Sequence, residues 1–310
     1  MAGGKVINID KLDKSIRDKV VLSAFDKLRT GEQITILSSY DPLTIKKVFE
    51  KRRPGYFRWN YFKNDNGNQE IRITKHGSSR LTVNEIIALY PGAIAVFEKH
   101  RIAYYLKGNT YLSDISKLHY LKEHKLIAEI ITISGSSVPE MRFWDWDVPL
   151  IIRFLFNNHI HLRETLKDIG MLIGHVAEIY RKDQPEIISV KEKFEELAKE
   201  LRDHLKEEEE KVFPAIHDFF EAKQKSDSFL NEMDMKYSIN WLKEDHIIMA
   251  TDLKCLRDLC NNYIPPPKAC PAYCFLYEEL QKFEKEQHFH IYLENNILFS
   301  AAKKLLKGAN

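Results

Sequence analysis

His204-Leu-Lys-Glu-Glu208-Glu-Glu-Lys-Val-Phe-Pro214 and, towards the C-terminus, His290-Ile-Tyr-Leu-Glu294-Asn-Asn-Ile-Leu-Phe299 decide how this chain is read. In each, a histidine precedes a glutamate by four residues inside a helix-favouring run. That spacing places imidazole and carboxylate on one helix face, about 6 Å apart along the axis. Each pair is half of a metal site. If the two helices face each other with the carboxylates between them, both glutamates can bridge two metal ions while each histidine caps one, the arrangement of a di-iron centre in a helical bundle.

Around these stretches, four long periodic segments run from about 147 to 181, 186 to 222, 230 to 262 and 271 to 306. Gln184-Pro185, Lys225-Ser226-Asp227-Ser228 and Pro265-Pro266-Pro267 separate them. At 1.5 Å per residue each helix is roughly 45 to 55 Å long, and the short connections imply an up-down-up-down four-helix bundle. Tyr237, Trp241, Phe275 and Leu276 are core candidates. For further ligands the third segment offers only His246, and the first offers His159, His161 and His175. The step from His159 to His161 turns the side chain by about 200°, so at most one of them faces the core. His175 lies about 24 Å along the helix from His159, too far to share its layer.

The N-terminal part has a different pattern. Val6 to Ile9 is apolar, Arg17 to Leu28 reads as helix, and Ile34 to Leu37 as strand. A second helix follows Asp41-Pro42, with Asp41 as N-cap and Pro42 at the first helical position. Phe57-Arg58-Trp59-Asn60-Tyr61 and Glu70-Ile71-Arg72-Ile73-Thr74 alternate as a hairpin around Asn64-Asp65-Asn66-Gly67. This is a small α+β sandwich with helices on one face of a sheet. Gly77-Ser78-Ser79 reads as a linker, Thr82 as the cap of a short helix, Pro91-Gly92-Ala93 as the start of another, and His119 to Ile133 as helix. A second linker, Ser134-Gly135-Ser136-Ser137-Val138-Pro139, precedes the bundle.

Composition narrows the function classes. A net charge of +2 over 310 residues gives no generic attraction to nucleic acid or to anionic membrane. The N-terminal residues lack an apolar core of signal-peptide length and no apolar run is long enough to span a bilayer, so a cytoplasmic protein is expected. Cys255, Cys260, Cys270 and Cys274 match neither a disulfide scaffold nor a paired zinc motif, and read as reduced, mostly buried thiols.

From about 147 to 300 the chain resembles the hemerythrin-like domain of the repair-of-iron-centres family. The patterns are Asn158-His159-x-x-x-Arg163-Glu164, His204-x-x-x-Glu208-Glu209-x-x-x-Phe213-Pro214, Glu244-Asp245-His246, Pro266-x-x-Ala269-Cys270 and His290-x-x-x-Glu294-Asn295-Asn296-x-Leu298-Phe299. The resemblance implies His159, His204, His246 and His290 as ligands, with Glu208 and Glu294 as bridges. Tyr180 and Ser300 depart from the family pattern without touching these six. His161 and His288 are then surface neighbours of ligands, and His76, His100, His119, His124, His175 and His217 ordinary structural or surface histidines. The stretch through Asp114 resembles the family's short helical module. Tyr105 and Leu106 stand where that module has adjacent cysteines, so both of its thiols are missing here. Asp41-Pro42, Phe49-Glu50, Arg53-Pro54-Gly55, Phe57-x-Trp59-x-Tyr61 and Arg72-Ile73-Thr74 resemble a small bacterial domain of unassigned function that often precedes di-iron proteins.

The chain is therefore read as multidomain: an N-terminal α+β domain over 1–77, a helical module over 78–138, and an all-α hemerythrin-like bundle over 139–310. Four imidazoles and two carboxylates suit a pair of iron ions, with room for an oxo or hydroxo bridge and for oxygen or nitric oxide. The resemblance implies repair of iron-sulfur clusters damaged by nitrosative or oxidative stress, by binding and donating iron. Damaged or apo iron-sulfur proteins and an external reductase are the implied partners. A nitric oxide or peroxide reductase, and an oxygen or nitric oxide sensor, are the alternatives that the same ligand set allows.

Overall fold

The computed structural model describes residues 5–63, 69–134, 143–224 and 232–307. The chain divides into two compact units, Met1–Met141 and Arg142–Asn310. No helix among the described residues is long and apolar enough to cross a membrane.

In the first unit, β1 (Lys5–Asn8), α1 (Arg17–Asp26), β2 (Gln33–Ser38), α2 (Leu43–Arg52), β3 (Phe57–Lys63) and β4 (Gln69–Lys75) form the α+β layer pair. The sheet order is β1-β2-β4-β3, with β1 and β2 parallel and the other pairings antiparallel. Alternation explains the packing: Ile34, Ile36, Ile71 and Ile73 are fully buried on one face, against Val21 and Phe25 of α1 and Ile45 and Phe49 of α2. The β3–β4 hairpin forms as expected, and its turn lies outside the described residues. Helix α2 starts one residue later than expected. Pro42 is its N-cap, without a side-chain hydrogen bond, while Asp41 instead accepts from the Tyr61 hydroxyl at 3.1 Å.

The helical part of this unit comprises α3 (Val83–Leu89), α4 (Ala93–Lys99), α5 (Leu112–Leu118) and α6 (Glu123–Ser134). Thr82 caps α3 through a complete capping box with Glu85. The expected helix from His119 begins only at Glu123, because Tyr120 takes a left-handed conformation at φ 54° that ends α5. Gly77-Ser78-Ser79 is no open spacer. The Ser79 hydroxyl is buried and donates to Pro54 O at 3.1 Å, and Ser79 packs so close to Gly55 that a side chain there would collide with it. Tyr105 is buried and Leu106 half-buried, so the position of the family's thiol pair is part of a packed core.

The second unit carries α7 (Val148–Tyr180), α8 (Glu186–Glu207), α9 (Phe213–Gln224), α10 (Glu232–Leu259), α11 (Pro271–Tyr292) and α12 (Phe299–Lys307). Asp147 caps α7 by accepting from Leu150 N at 2.9 Å. Along α7 the buried positions are Ile151, Leu155, His159, Leu162, Leu166, Ile169, Ile173 and Val176, the stripe by which an amphipathic helix enters a core. His159 occupies a place in that stripe where an aliphatic residue would stand, and His161 is exposed.

Two of the four expected long helices are not continuous. A π-helical turn at Glu208–Val212 separates α8 from α9, and another at Leu293–Leu298 separates α11 from α12. Each begins within a residue of a motif glutamate. The arrangement is the hemerythrin-like four-helix bundle, each of these two arms being a pair of helices joined through a π turn. Three side chains depart from expectation: Trp241 and Phe275 are exposed although Leu276 is buried, and His288 is buried near Glu284 rather than on the surface. The side chain of Tyr237 lies outside the described residues. Of the cysteines only Cys260 is buried. Cys255 is exposed, and Cys270 and Cys274, at the start of α11, are half-buried.

Candidate metal centre

Six polar side chains meet in the apolar interior of the bundle. His159 comes from α7, His204 from the last turn of α8, Glu208 from the π turn that follows, His246 from α10, His290 from the last turn of α11, and Glu294 from the second π turn. All six are buried, and both glutamates and two of the histidines, His159 and His246, are fully so. Their ligand atoms form two groups, His159, Glu208, His290 and Glu294, and His204, Glu208, His246 and Glu294, each within 4.8 Å.

The carboxylates divide their oxygens between the groups. Glu208 Oε1 is 3.3 Å from His204 Nε2, and Oε2 is 3.5 Å from His159 Nε2. Glu294 Oε1 is 3.0 Å from His290 Nε2, and Oε2 is 3.2 Å from His246 Nε2. One oxygen of each glutamate thus faces each half, the geometry a bridge between two cations requires.

Hydrogen bonds on the other ring nitrogen fix which atom faces inward. His159 Nδ1 donates to Glu209 Oε1 at 2.9 Å, His204 Nδ1 to Asp245 Oδ2 at 2.5 Å, and His246 Nδ1 to Asn295 Oδ1 at 3.2 Å. In its neutral form each of these rings then presents the lone pair of its Nε2 to the glutamates. Phe213 stacks on the His159 ring with centroids 5.3 Å apart, and Phe299 on that of His246 at 6.1 Å.

The residues fit a metal pair. His204 Nε2, His246 Nε2 and all four carboxylate oxygens of Glu208 and Glu294 are buried without a hydrogen-bond partner. Leaving such groups unpaired costs about 1–3 kcal/mol each, more for charged ones, and cations between them satisfy all at once. The electrostatics show the same deficit. Burial, with His290 close by, pushes the His159 imidazole down to about 4. Burial also acts to lower His204, but Glu208 and the Asp245 hydrogen bond outweigh it and hold it well above its usual value. Burial and the neighbouring Glu294 raise Glu208. For Glu294 burial is outweighed by His290 and His246, which hold it well below the usual carboxylate range. Four imidazoles and two carboxylates, without thiolate, make the donor set of a non-haem di-iron centre.

Residues 151–302 match the family model described as the hemerythrin HHE cation binding domain, and residues 6–75 match one described as an uncharacterized conserved protein (DUF2249). The iron-sulfur cluster repair protein ScdA of Staphylococcus haemolyticus is 26% identical over 219 residues, covering 70% of this chain and 96% of that protein. Over about 70% of its length the chain is similar to iron-sulfur cluster repair proteins. A probable iron-sulfur cluster repair protein of Haemophilus influenzae is 27% identical over 226 residues, covering 70% of this chain and 94% of the relative. The iron-sulfur cluster repair protein YtfE of Escherichia coli O8 is 24% identical over 225 residues, covering 71% and 95%.

The structure brings all six residues expected from the repair-of-iron-centres motifs into one site, and leaves His161, His175 and His288 outside both ligand groups. Reading the motifs for ligands alone misses Glu209, Asp245 and Asn295. Each directly follows or precedes a ligand in sequence but serves a histidine on another helix, and its place beside that ligand within the motif is the signal the sequence offers.

Proposed function

We propose that His159, His204, His246 and His290 are terminal ligands and Glu208 and Glu294 bridging ligands of a di-iron centre, and that the chain repairs damaged iron-sulfur clusters by binding and donating iron. The observation that carries this is the set of buried, unpartnered Nε2 and carboxylate atoms divided between two halves. An iron pair in this site supplies binding to small diatomics and a change of oxidation state. The side chains do the rest. Glu208 and Glu294 attract a ferric pair more strongly than a ferrous one, since Coulomb attraction scales with charge, so they release iron more readily after reduction. Imidazole and carboxylate, without thiolate, suit a site that gives iron up. With Tyr105 and Leu106 at the thiol position, the electrons come from a partner reductase, and the acceptor is a damaged or apo iron-sulfur protein.

The test uses an enzyme inactivated by loss of its iron-sulfur cluster after nitric oxide exposure. With inorganic sulfide supplied and no other iron added, iron-loaded, reduced chain is expected to restore its activity, and His204→Ala chain prepared in parallel is not. If the wild type fails to restore activity but consumes nitric oxide with an electron donor, the protein is a reductase and the donor reading is wrong. Reversible binding of oxygen or nitric oxide with neither repair nor turnover marks a sensor.

A further inference from the structure

The two ligand motifs share more than a histidine and a glutamate. Both read His-x-x-x-Glu, then Glu209 or Asn295, then three residues and a phenylalanine, Phe213 or Phe299. Both open into a π turn whose wide ring is closed by the backbone N–H of that phenylalanine, donating to Glu208 O in one and Glu294 O in the other. This i to i+5 bond adds one residue to the turn. Three consecutive tasks follow. Glu208 or Glu294 enters the site, the next residue reaches a histidine across the bundle, and the phenylalanine covers that same ring. His159 receives Glu209 and Phe213; His246 receives Asn295 and Phe299.

We infer that Glu209, and Asn295 in the matching place, are positioning residues. Each fixes the tautomer and ring orientation of the histidine opposite, and Arg163 holds Glu209 for this task. The inference rests on the di-iron reading above. Arg163 grips both Glu209 oxygens, at 2.9 and 2.8 Å, which limits the carboxylate's freedom to swing away from His159. An exposed ion pair would contribute little. Here the Glu209 side chain is only 17% exposed and its imidazole partner fully buried, so the hydrogen bond decides which nitrogen points inward. Loss of such a partner to a ligating histidine costs 10–100-fold in metal affinity in other proteins. In this site the loss falls on one half: Glu209 on the ion between His159 and His290, Asn295 on the ion between His204 and His246.

The experiment measures ferrous iron binding to the full chain by chelator competition, together with ¹⁵N-histidine spectra of the metal-free protein to read the tautomers. Expected for Glu209→Ala is a loss of about 10–100-fold in affinity for one of two ions, a changed tautomer for one histidine, and an unchanged second ion. Glu209→Gln, which keeps an acceptor oxygen, is expected to restore binding to within a few-fold. Arg163→Ala, which leaves Glu209 in place, covers the case in which Glu209→Ala folds poorly, and should weaken the same ion to a lesser degree. Wild-type affinity for both ions in Glu209→Ala, or equal loss of both in Glu209→Ala and Glu209→Gln, would overturn the inference. A wild type that binds no iron refutes the site assignment itself, and is distinguished by that.

Discussion

Removing the charge of Glu208 is expected to stabilise the metal-free protein while abolishing its metal centre. Glu208 and Glu294 are both 0% exposed, with ligand atoms within 4.8 Å. At that separation two carboxylate charges repel by about 3.5 kcal/mol at an effective dielectric constant of about 20. Part of this relief is offset, since His204 Nε2 lies 3.3 Å from Glu208 Oε1 and loses an attractive neighbour, though Asp245 still holds its other nitrogen. The net expectation for Glu208→Gln is a gain of about 1–3 kcal/mol, because burial and the repulsion of Glu294 outweigh the attraction of His204 at the Glu208 carboxyl. For a unit of this size that is a rise in Tm of about 2–10 °C. The assay is thermal unfolding followed by circular dichroism, with and without iron. Wild type should melt higher with iron, because a ligand that binds only the folded state stabilises it, whereas Glu208→Gln should show no iron-dependent shift. A metal-free Glu208→Gln that melts below metal-free wild type would refute the reasoning, because Glu208 would then be satisfied without metal.

Three further outcomes follow from other parts of the molecule. Arg257 Nη1 lies 2.6 Å from Glu284 Oε1, with both side chains largely buried, so Arg257→Met takes the guanidinium away from a buried carboxylate and should cost about 3 kcal/mol in urea unfolding; a loss under 1 kcal/mol would show the pair to be dispensable. Thr82→Ala removes the capping box of α3 and should cost about 1 kcal/mol, seen as a lower midpoint for the first unit's transition alone. Glu129 is held below the usual carboxylate range by hydrogen bonds from His100 and Lys99. Its folded-state value being depressed, the contribution is present above the ordinary value near 4.5 and is lost as pH falls through the folded value below it. Glu129→Gln should therefore be less stable than wild type at pH 6 and converge with it in strong acid; a gap that persists there would contradict this.

Much of the site was legible in the sequence because helical spacing is rigid. His204 with Glu208, and His290 with Glu294, could share a face only if the runs were helical, and they are. Choosing His159 over His161 needed the family resemblance, yet the burial stripe of α7 contains the same answer, since His159 stands in phase with Leu155 and Leu162. The π turns were not legible. An i to i+5 bond depends on what the widened ring packs against, and neither Glu208–Val212 nor Leu293–Leu298 has a composition that demands it. Asp245, Glu209 and Asn295 stayed hidden for a related reason: their partners are on other helices, and only packing brings them together. Trp241 and Phe275 misled because hydrophobic identity does not fix a face. In the N-terminal unit the strands followed from alternation, while the buried Ser79 did not, because serine and glycine read as spacer until Ser79 is seen packed where a side chain at Gly55 would stand.

The most direct test of the central claim is metal content combined with the optical spectrum of aerobically purified protein, repeated on His204→Ala and Glu294→Ala. The account predicts two irons per chain with near-ultraviolet absorption of a coupled ferric pair, both lost in each variant. A chain that carries no iron, or a single zinc ion that survives both substitutions, would contradict it.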